Sequence, residues 1–118
     1  MTWQEVIDNH LIEIGRSLKS FDHRSMALPS LKTVSLAIIL AQDYDREMAA
    51  EPTDVYVDHF GGIVFLRELD NGGSIACTIC PNGSTEYYFR NAHGGGKREV
   101  VPFGRTDEKN RWNRDSKK

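Results

Sequence analysis

The sequence predicts an α+β fold: two N-terminal helices packed on an antiparallel β-meander of three to five strands. A single domain over residues 1–104 is followed by a charged tail over 105–118, flexible or only partly docked. Three observations carry this. Apolar residues recur at helical spacing up to about residue 48. From Asp54 onward, short alternating runs are separated by Gly- and Asn-rich turns. The last fourteen residues then lose almost all apolar character.

Thr2 and Glu5 match a capping box, in which each side chain satisfies a free backbone donor of the other at a helix start. Trp3, Ile7, Leu11, Ile14 and Leu18 then form an apolar stripe, with Glu5, Asp8, Glu13 and Arg16 left for water. Gly15 weakens this helix by about 1 kcal/mol relative to Ala unless a partner packs close, and the helix is expected to end near Ser20. An irregular link, Phe21 to Pro29, follows. Ser30 is an N-cap for a second helix from Leu31 to about Met48, whose middle, VSLAIILA, is apolar nearly all round and is expected to be the central buried element. Pro52 terminates it, since proline disfavours helix in the residue before it.

The second half reads as β. Asp54 to His59 alternates, placing Val55 and Val57 on one face and Tyr56 and Asp58 on the other. Ile63 to Glu68 and Ser74 to Ile79 form a hairpin around Asp70-Asn71-Gly72-Gly73. Pro81-Asn82-Gly83-Ser84 makes the next reversal, because Asn and Gly tolerate positive φ, and Thr85 to Arg90 returns. A glycine loop, His93 to Gly96, leads to a further short strand, Arg98 to Phe103. No internal repeat is expected. The tail carries six basic and three acidic residues, a net +3 that leaves −5 on residues 1–104. Its one large apolar residue is Trp112.

A 118-residue chain with 39% apolar and 27% charged residues can bury one core without staples. The net charge of −2 gives no overall attraction to nucleic acid or anionic lipid. No apolar run approaches a membrane span, and the acidic N-terminus is unlike a secretory signal. The expectation is a protein of the cytoplasm of a bacterium or phage-infected cell, without membrane contact. Cys77 and Cys80 have C-x-x-C spacing. Within a strand pattern, positions three apart face opposite ways, and no second pair completes a zinc site. Two structural thiols are the favoured reading, with redox or metal use as the alternative.

No nucleophile elbow, metal-binding His pair or phosphate loop occurs. His10, His23, His59 and His93 are scattered, and Asp58–His59 are neighbours on a strand pattern, so they face apart. Asp43, Asp45 and Glu47 do not share a helix face and read as a solvated end. The run His93 to Arg98 is the nearest thing to an anion cradle, but β structure follows it rather than a helix N-terminus. No catalytic, metal or cofactor residue is therefore expected, and no cofactor. The candidate partner-binding residues are Tyr56, Phe65 and Tyr88 on the sheet, Lys97 and Arg98 beside the glycine loop, and Arg111, Trp112 and Arg114 in the tail. Alternation sends Tyr88 away from Tyr87 and Phe89; it serves either a recognition patch or a cross-strand pair.

The segment from Leu28 to Arg90 resembles a group of small bacterial proteins that share a helix, a Pro-containing joint, a Gly-Ile strand, a polar turn, an alternating strand, Pro-Asp-Gly and an aromatic strand. Pro52, Gly62, Ile63, Phe65, Gly72, Ile75, Ile79, Pro81, Gly83 and Tyr87 occupy those positions. Asn82 replaces the usual Asp, and Arg67 or its neighbour stands where the group often has Trp. The resemblance implies the fold and transfers no catalytic residue.

These readings together point to a non-enzymatic protein–protein interaction module: an inhibitor, an antitoxin- or immunity-like partner, or an accessory protein. It would act by occlusion, and the acidic body suits a partner with a basic surface. The alternative is a nucleic-acid-binding protein that uses the basic tail and the Lys97/Arg98 loop. The sequence sets no oligomeric state.

Overall fold

A computed structural model describes residues 1–17, 28–102 and 111–113. The helical part comprises α1 (Trp3–Glu5), a π-helical segment (Val6–Leu11), α2 (Ile12–Ser17) and α3 (Leu31–Arg46). It packs on one face of a five-stranded antiparallel sheet: β1 (Asp54–Val57), β2 (Ile63–Glu68), β3 (Ser74–Ile79), β4 (Thr85–Arg90) and β5 (Gly96–Val101), in the order β1-β2-β3-β4-β5. The expected end of the first helix near Ser20, and the link that follows it as far as Ala27, lie outside the described residues.

The capping box forms as the sequence requires, with Thr2 Oγ1 accepting from the Glu5 amide at 3.1 Å and Glu5 Oε1 accepting from the Thr2 amide at 2.9 Å. The wide π turn then brings Val6, Ile7 and Leu11 all into the core, one more residue than the expected stripe supplies. Ser30 caps α3 through the Thr33 amide. Far from being buried all round, α3 commits Val34, Ala37, Leu40, Ala41 and Tyr44 to the core and leaves Ile39 54% exposed. It therefore lies on the sheet rather than through the centre. It also ends two residues before the expected Met48, which takes φ +58° beyond the cap. The Ala49 amide bonds to Tyr44 O and the Met48 amide to Asp45 O, closing the last turn in a Schellman motif.

The expectation of no internal repeat is corrected by the sheet. Turns 58–62, 69–73, 80–84 and 91–95 are the same five-residue reversal, each closed by an amide of the first residue donating to the carbonyl of the fifth at 2.9–3.0 Å. The fourth residue of each, Gly61, Gly72, Gly83 or Gly94, has φ between +82° and +93°, which favours glycine. In every turn an Asp or Asn carboxyl or amide oxygen (Asp58, Asn71, Asn82, Asn91) accepts from a turn amide. Turn and strand thus recur every eleven residues. β1 ends at Val57, not His59, because Asp58 opens the first turn. β5 begins at Gly96, not Arg98, because Gly95 closes the last one, and it ends at Val101.

Identical turns give a sheet with straight rows. Val55, Phe65, Cys77, Tyr87 and Glu99 are successive cross-strand partners on the inner face. The first four are 7% exposed or less and meet the helices. Trp3 packs edge-on to Phe65 with ring centroids 5.5 Å apart, and Tyr44 from α3 reaches Tyr87.

Residues 111–113 are not part of a free tail. Trp112 is fully buried, stacked on Tyr44 at 5.7 Å and tilted against Trp3 at 5.7 Å. Its indole N–H donates to Ala50 O at 2.5 Å, just as that of Trp3 donates to Ala49 O at 3.1 Å. Arg67 Nη1 donates to Trp112 O, and Asn113 Oδ1 accepts from the Ala50 amide. A large aromatic in a charged segment finds more favourable burial than exposure, by roughly 1.5–3 kcal/mol.

Candidate interaction surface

The face of the sheet opposite the helices presents three straight rows. The middle row is Asp54, Leu66, Ala76, Tyr88 and Arg98; on one side lie Tyr56, Val64, Thr78, Glu86 and Val100. On the other side lie Glu68, Ser74, Arg90 and Gly96. No described helix packs here. Tyr56, Tyr88 and Val100 remain 42–52% exposed. The pattern is an apolar centre, Leu66-Ala76-Tyr88, with charge toward its margins.

Of the residues singled out from the sequence, Tyr56, Tyr88 and Arg98 stand on this face, and alternation separates Tyr88 from the buried Tyr87 as expected. Tyr88 is held in place. Its hydroxyl lies against Gly96, where an added Cβ would come within 2.3 Å, so the phenol covers the gap that glycine leaves in β5. Phe65 and Trp112 are corrected: both are wholly buried on the inner side and present nothing to a partner. Phe65 faces inward because it shares its strand face with Ile63, and Trp112 fills the space between Tyr44 and Trp3.

The candidate cations are spoken for. Arg98 Nε lies 2.9 Å from Glu86 Oε1, Lys97 Nζ 3.5 Å from Glu99 Oε2, and Arg111 Nε 3.2 Å from Glu99 Oε1. Arg114 lies outside the described residues. The glycine loop is not an anion cradle, since the His93 and Gly95 amides donate to Asn91 Oδ1 and the Gly94 amide to Asn91 O.

Strand alternation was the signal for the residues that sequence reasoning missed: Asp54, Leu66, Glu68, Ala76, Arg90 and Val100 share the outer face with the two tyrosines. Among the described residues, no group of three or more His, Cys, Asp or Glu is placed to hold a metal ion. His59 and His93 sit exposed at hairpin turns, and Asp58 beside His59 is engaged by the Phe60 and Gly62 amides. His23 lies outside the described residues. Neither cysteine is in a disulfide: Cys77 is buried on the inner face, and burial pushes the half-buried Cys80 thiol up.

A cavity of about 360 Å³ opens between turns 69–73 and 91–95, floored by Ile75 and Phe89 and rimmed by Arg90 and Lys97. No His, Cys, Asp or Glu lines it. No described helix is long and apolar enough to cross a membrane. No protein-family model, curated protein or solved structure matches the chain.

Proposed function

We propose that this chain is a small cytoplasmic protein–protein interaction module, without enzymatic activity, that acts by occlusion through the outer face of its sheet. One observation carries the reading. The inner face is committed to the core, while the outer face, on which Val64 and Ser74 are buried, keeps Tyr56, Tyr88 and Val100 half-exposed around Leu66 and Ala76. Aromatic side chains at the centre of such a patch, with charge at its rim, have the anatomy of a binding surface. The hold of Gly96 on Tyr88 lowers the ordering cost of binding. An inhibitor, an immunity-like partner or an accessory protein of bacterial or phage origin would each use such a face.

Nucleic-acid binding through Lys97, Arg98 and the basic C-terminal residues is the less favoured reading. Lys97, Arg98 and Arg111 each stand beside a carboxylate, which weakens the positive field they offer a phosphate.

The experiment is affinity capture by the tagged full chain from host lysate with nuclease treatment, using wild type and Tyr88→Glu. A protein captured by wild type and lost with the variant, whose thermal melt is unchanged, supports the reading. Recovery of nucleic acid alone, or of nothing beyond the bait by a chain that also does not self-associate, overturns it.

A further inference from the structure

We propose that the partner this face fits is a second copy of the chain, related by a two-fold axis running along β3. The inference rests on the reading of the outer face as an interaction surface and adds the identity of what covers it.

The argument is geometric. Rotation by a half-turn about an axis parallel to β3, midway between two stacked sheets, lays β1 over the partner's β5 and β2 over its β4. β3 then lies over itself. Because the rows run straight across the sheet, each residue keeps its row. Asp54 then faces Arg98, Glu68 faces Arg90, Leu66 faces Tyr88 and Tyr56 faces Val100, while Ala76 meets Ala76 on the axis. Every pair off the axis occurs twice by symmetry. Asp54 and Glu68 lie on the β1–β2 side of the face and Arg90 and Arg98 on the β4–β5 side, where Glu86 pairs with Arg98. The half-turn therefore brings Asp54 to Arg98, Glu68 to Arg90 and apolar groups together at the centre.

The small side chain of Ala76 at the axis suits the spacing of about 10 Å at which sheets stack. Aligned sheets cross at about 30°, which displaces the Glu68–Arg90 pair by about 2.5 Å and the Asp54–Arg98 pair by about 5 Å along the strand, offsets that the long Arg side chains span. Glu86 faces Val64 in this arrangement, but Arg98 of its own chain already holds it at 2.9 Å. The guanidinium retains donors for Asp54 of the other copy. The competing half-turn, about an axis across the strands, stacks β1 on β1 and β5 on β5. It would set Asp54 against Asp54 and Arg98 against Arg98, so like-charge repulsion selects the first arrangement.

Five strands of this length make a face of about 24 Å by about 20 Å, at the small end of specific interfaces. The dimer is therefore expected to be reversible, with a dissociation constant in the micromolar range, and weaker at high salt.

The test is sedimentation velocity on the full chain from micromolar to millimolar concentration. Glu68 and Arg90 are exposed, and their side chains have no other partner among the described residues, so they isolate the interface charge. Wild type is expected to pass from one chain to two. Glu68→Arg and Arg90→Glu should each raise the dissociation constant by at least about tenfold, and the doubly swapped variant should recover it to within about threefold. Thermal melts of the variants check folding. A wild-type chain that stays single at millimolar concentration overturns the proposal, as does a dimer indifferent to both single substitutions. A single chain that captures a different protein, lost with Tyr88→Glu, overturns self-association alone. A single chain that captures no protein overturns the interaction reading as well.

Discussion

The hydroxyl of Tyr44 lies 2.5 Å from that of Tyr87, joining α3 to the middle of β4 inside the core. These residues are 43 positions apart, and each ring also packs on an aromatic neighbour, Tyr44 on Trp112 and Tyr87 on Phe89. The pair fixes where the helix sits over the sheet. Removing either hydroxyl should cost about 1–2 kcal/mol, because its partner stays buried. Removing both should cost less than the sum, because the bond between them is then lost only once. Urea unfolding of Tyr44→Phe, Tyr87→Phe and the double variant gives the coupling; strict additivity would mean the two hydroxyls do not interact.

Trp112 tests the closure of the core by the C-terminal segment. Trp112→Ala should destabilise by about 3–5 kcal/mol, a large share of the about 5–15 kcal/mol typical of a domain. Trp112→Phe should cost less, losing chiefly the indole bond to Ala50 O. A change in the urea midpoint worth less than about 0.5 kcal/mol for Trp112→Ala is what an undocked tail would give.

Two backbone positions are suboptimal, and both substitutions should stabilise. An added Cβ at Gly15 would lie 3.6 Å from Val34 Cγ1, ordinary van der Waals contact, so Gly15→Ala should gain about 0.5–1 kcal/mol. Met48 holds φ +58° with its side chain 89% exposed, so Met48→Gly relieves a left-handed penalty without losing packing. A gain of about 0.5–1 kcal/mol is expected, read as a higher melting temperature.

The capping box predicts a pH dependence. The Thr2 backbone N–H bonded to Glu5 lowers the carboxyl's pKa, with the Thr2 side chain adding to the effect. A folded pKa below the unfolded one stabilises above the unfolded value, and the contribution is lost as pH falls through the folded value. Glu5→Gln should therefore be less stable than wild type at neutral pH, and the two melting curves should converge in acid. A gap that persists at low pH would mean the glutamate acts through something other than its charge.

The thiols should differ sharply in reactivity. Burial raises the pKa of Cys80 and so suppresses its thiolate, which should make alkylation at neutral pH slower than for a free thiol and faster as pH rises. Cys77 is fully buried and should react only on unfolding. Mass-spectrometric labelling with and without denaturant distinguishes them; equal native rates would contradict the placement of Cys77.

Much of the fold was legible because its signals are local. Thr2 and Ser30 cap helices for the same reason in any protein, and β2, β3 and β4 fall where period-two alternation places them. The eleven-residue repeat was also written in the sequence, in the glycines at 61, 72, 83 and 94, yet it is masked in the strands. An odd period combined with chain reversal puts alternate strand positions on the inner face. Phe65 and Tyr87 point inward at one offset within their units and Cys77 at the next, so the apolar residues do not recur every eleven. Only the turns keep the period.

The outer face was half legible. Alternation placed Tyr56 and Tyr88 there, but the rows that set Asp54 and Glu68 on one margin and Arg90 and Arg98 on the other depend on register, which four turns of equal length and closure impose only once they are recognised as alike.

By itself the sequence determined where helices, strands and turns lie, because capping, proline, glycine and alternation act within a few residues. Only the tertiary structure decided that Trp112 closes the core from a charged segment, that Ile39 faces outward, and that Arg98 and Arg111 stand beside the carboxylates of Glu86 and Glu99. Those outcomes depend on which distant surfaces meet. Burial and ion pairing are decided by neighbours in space, and most of those neighbours are far away along the chain.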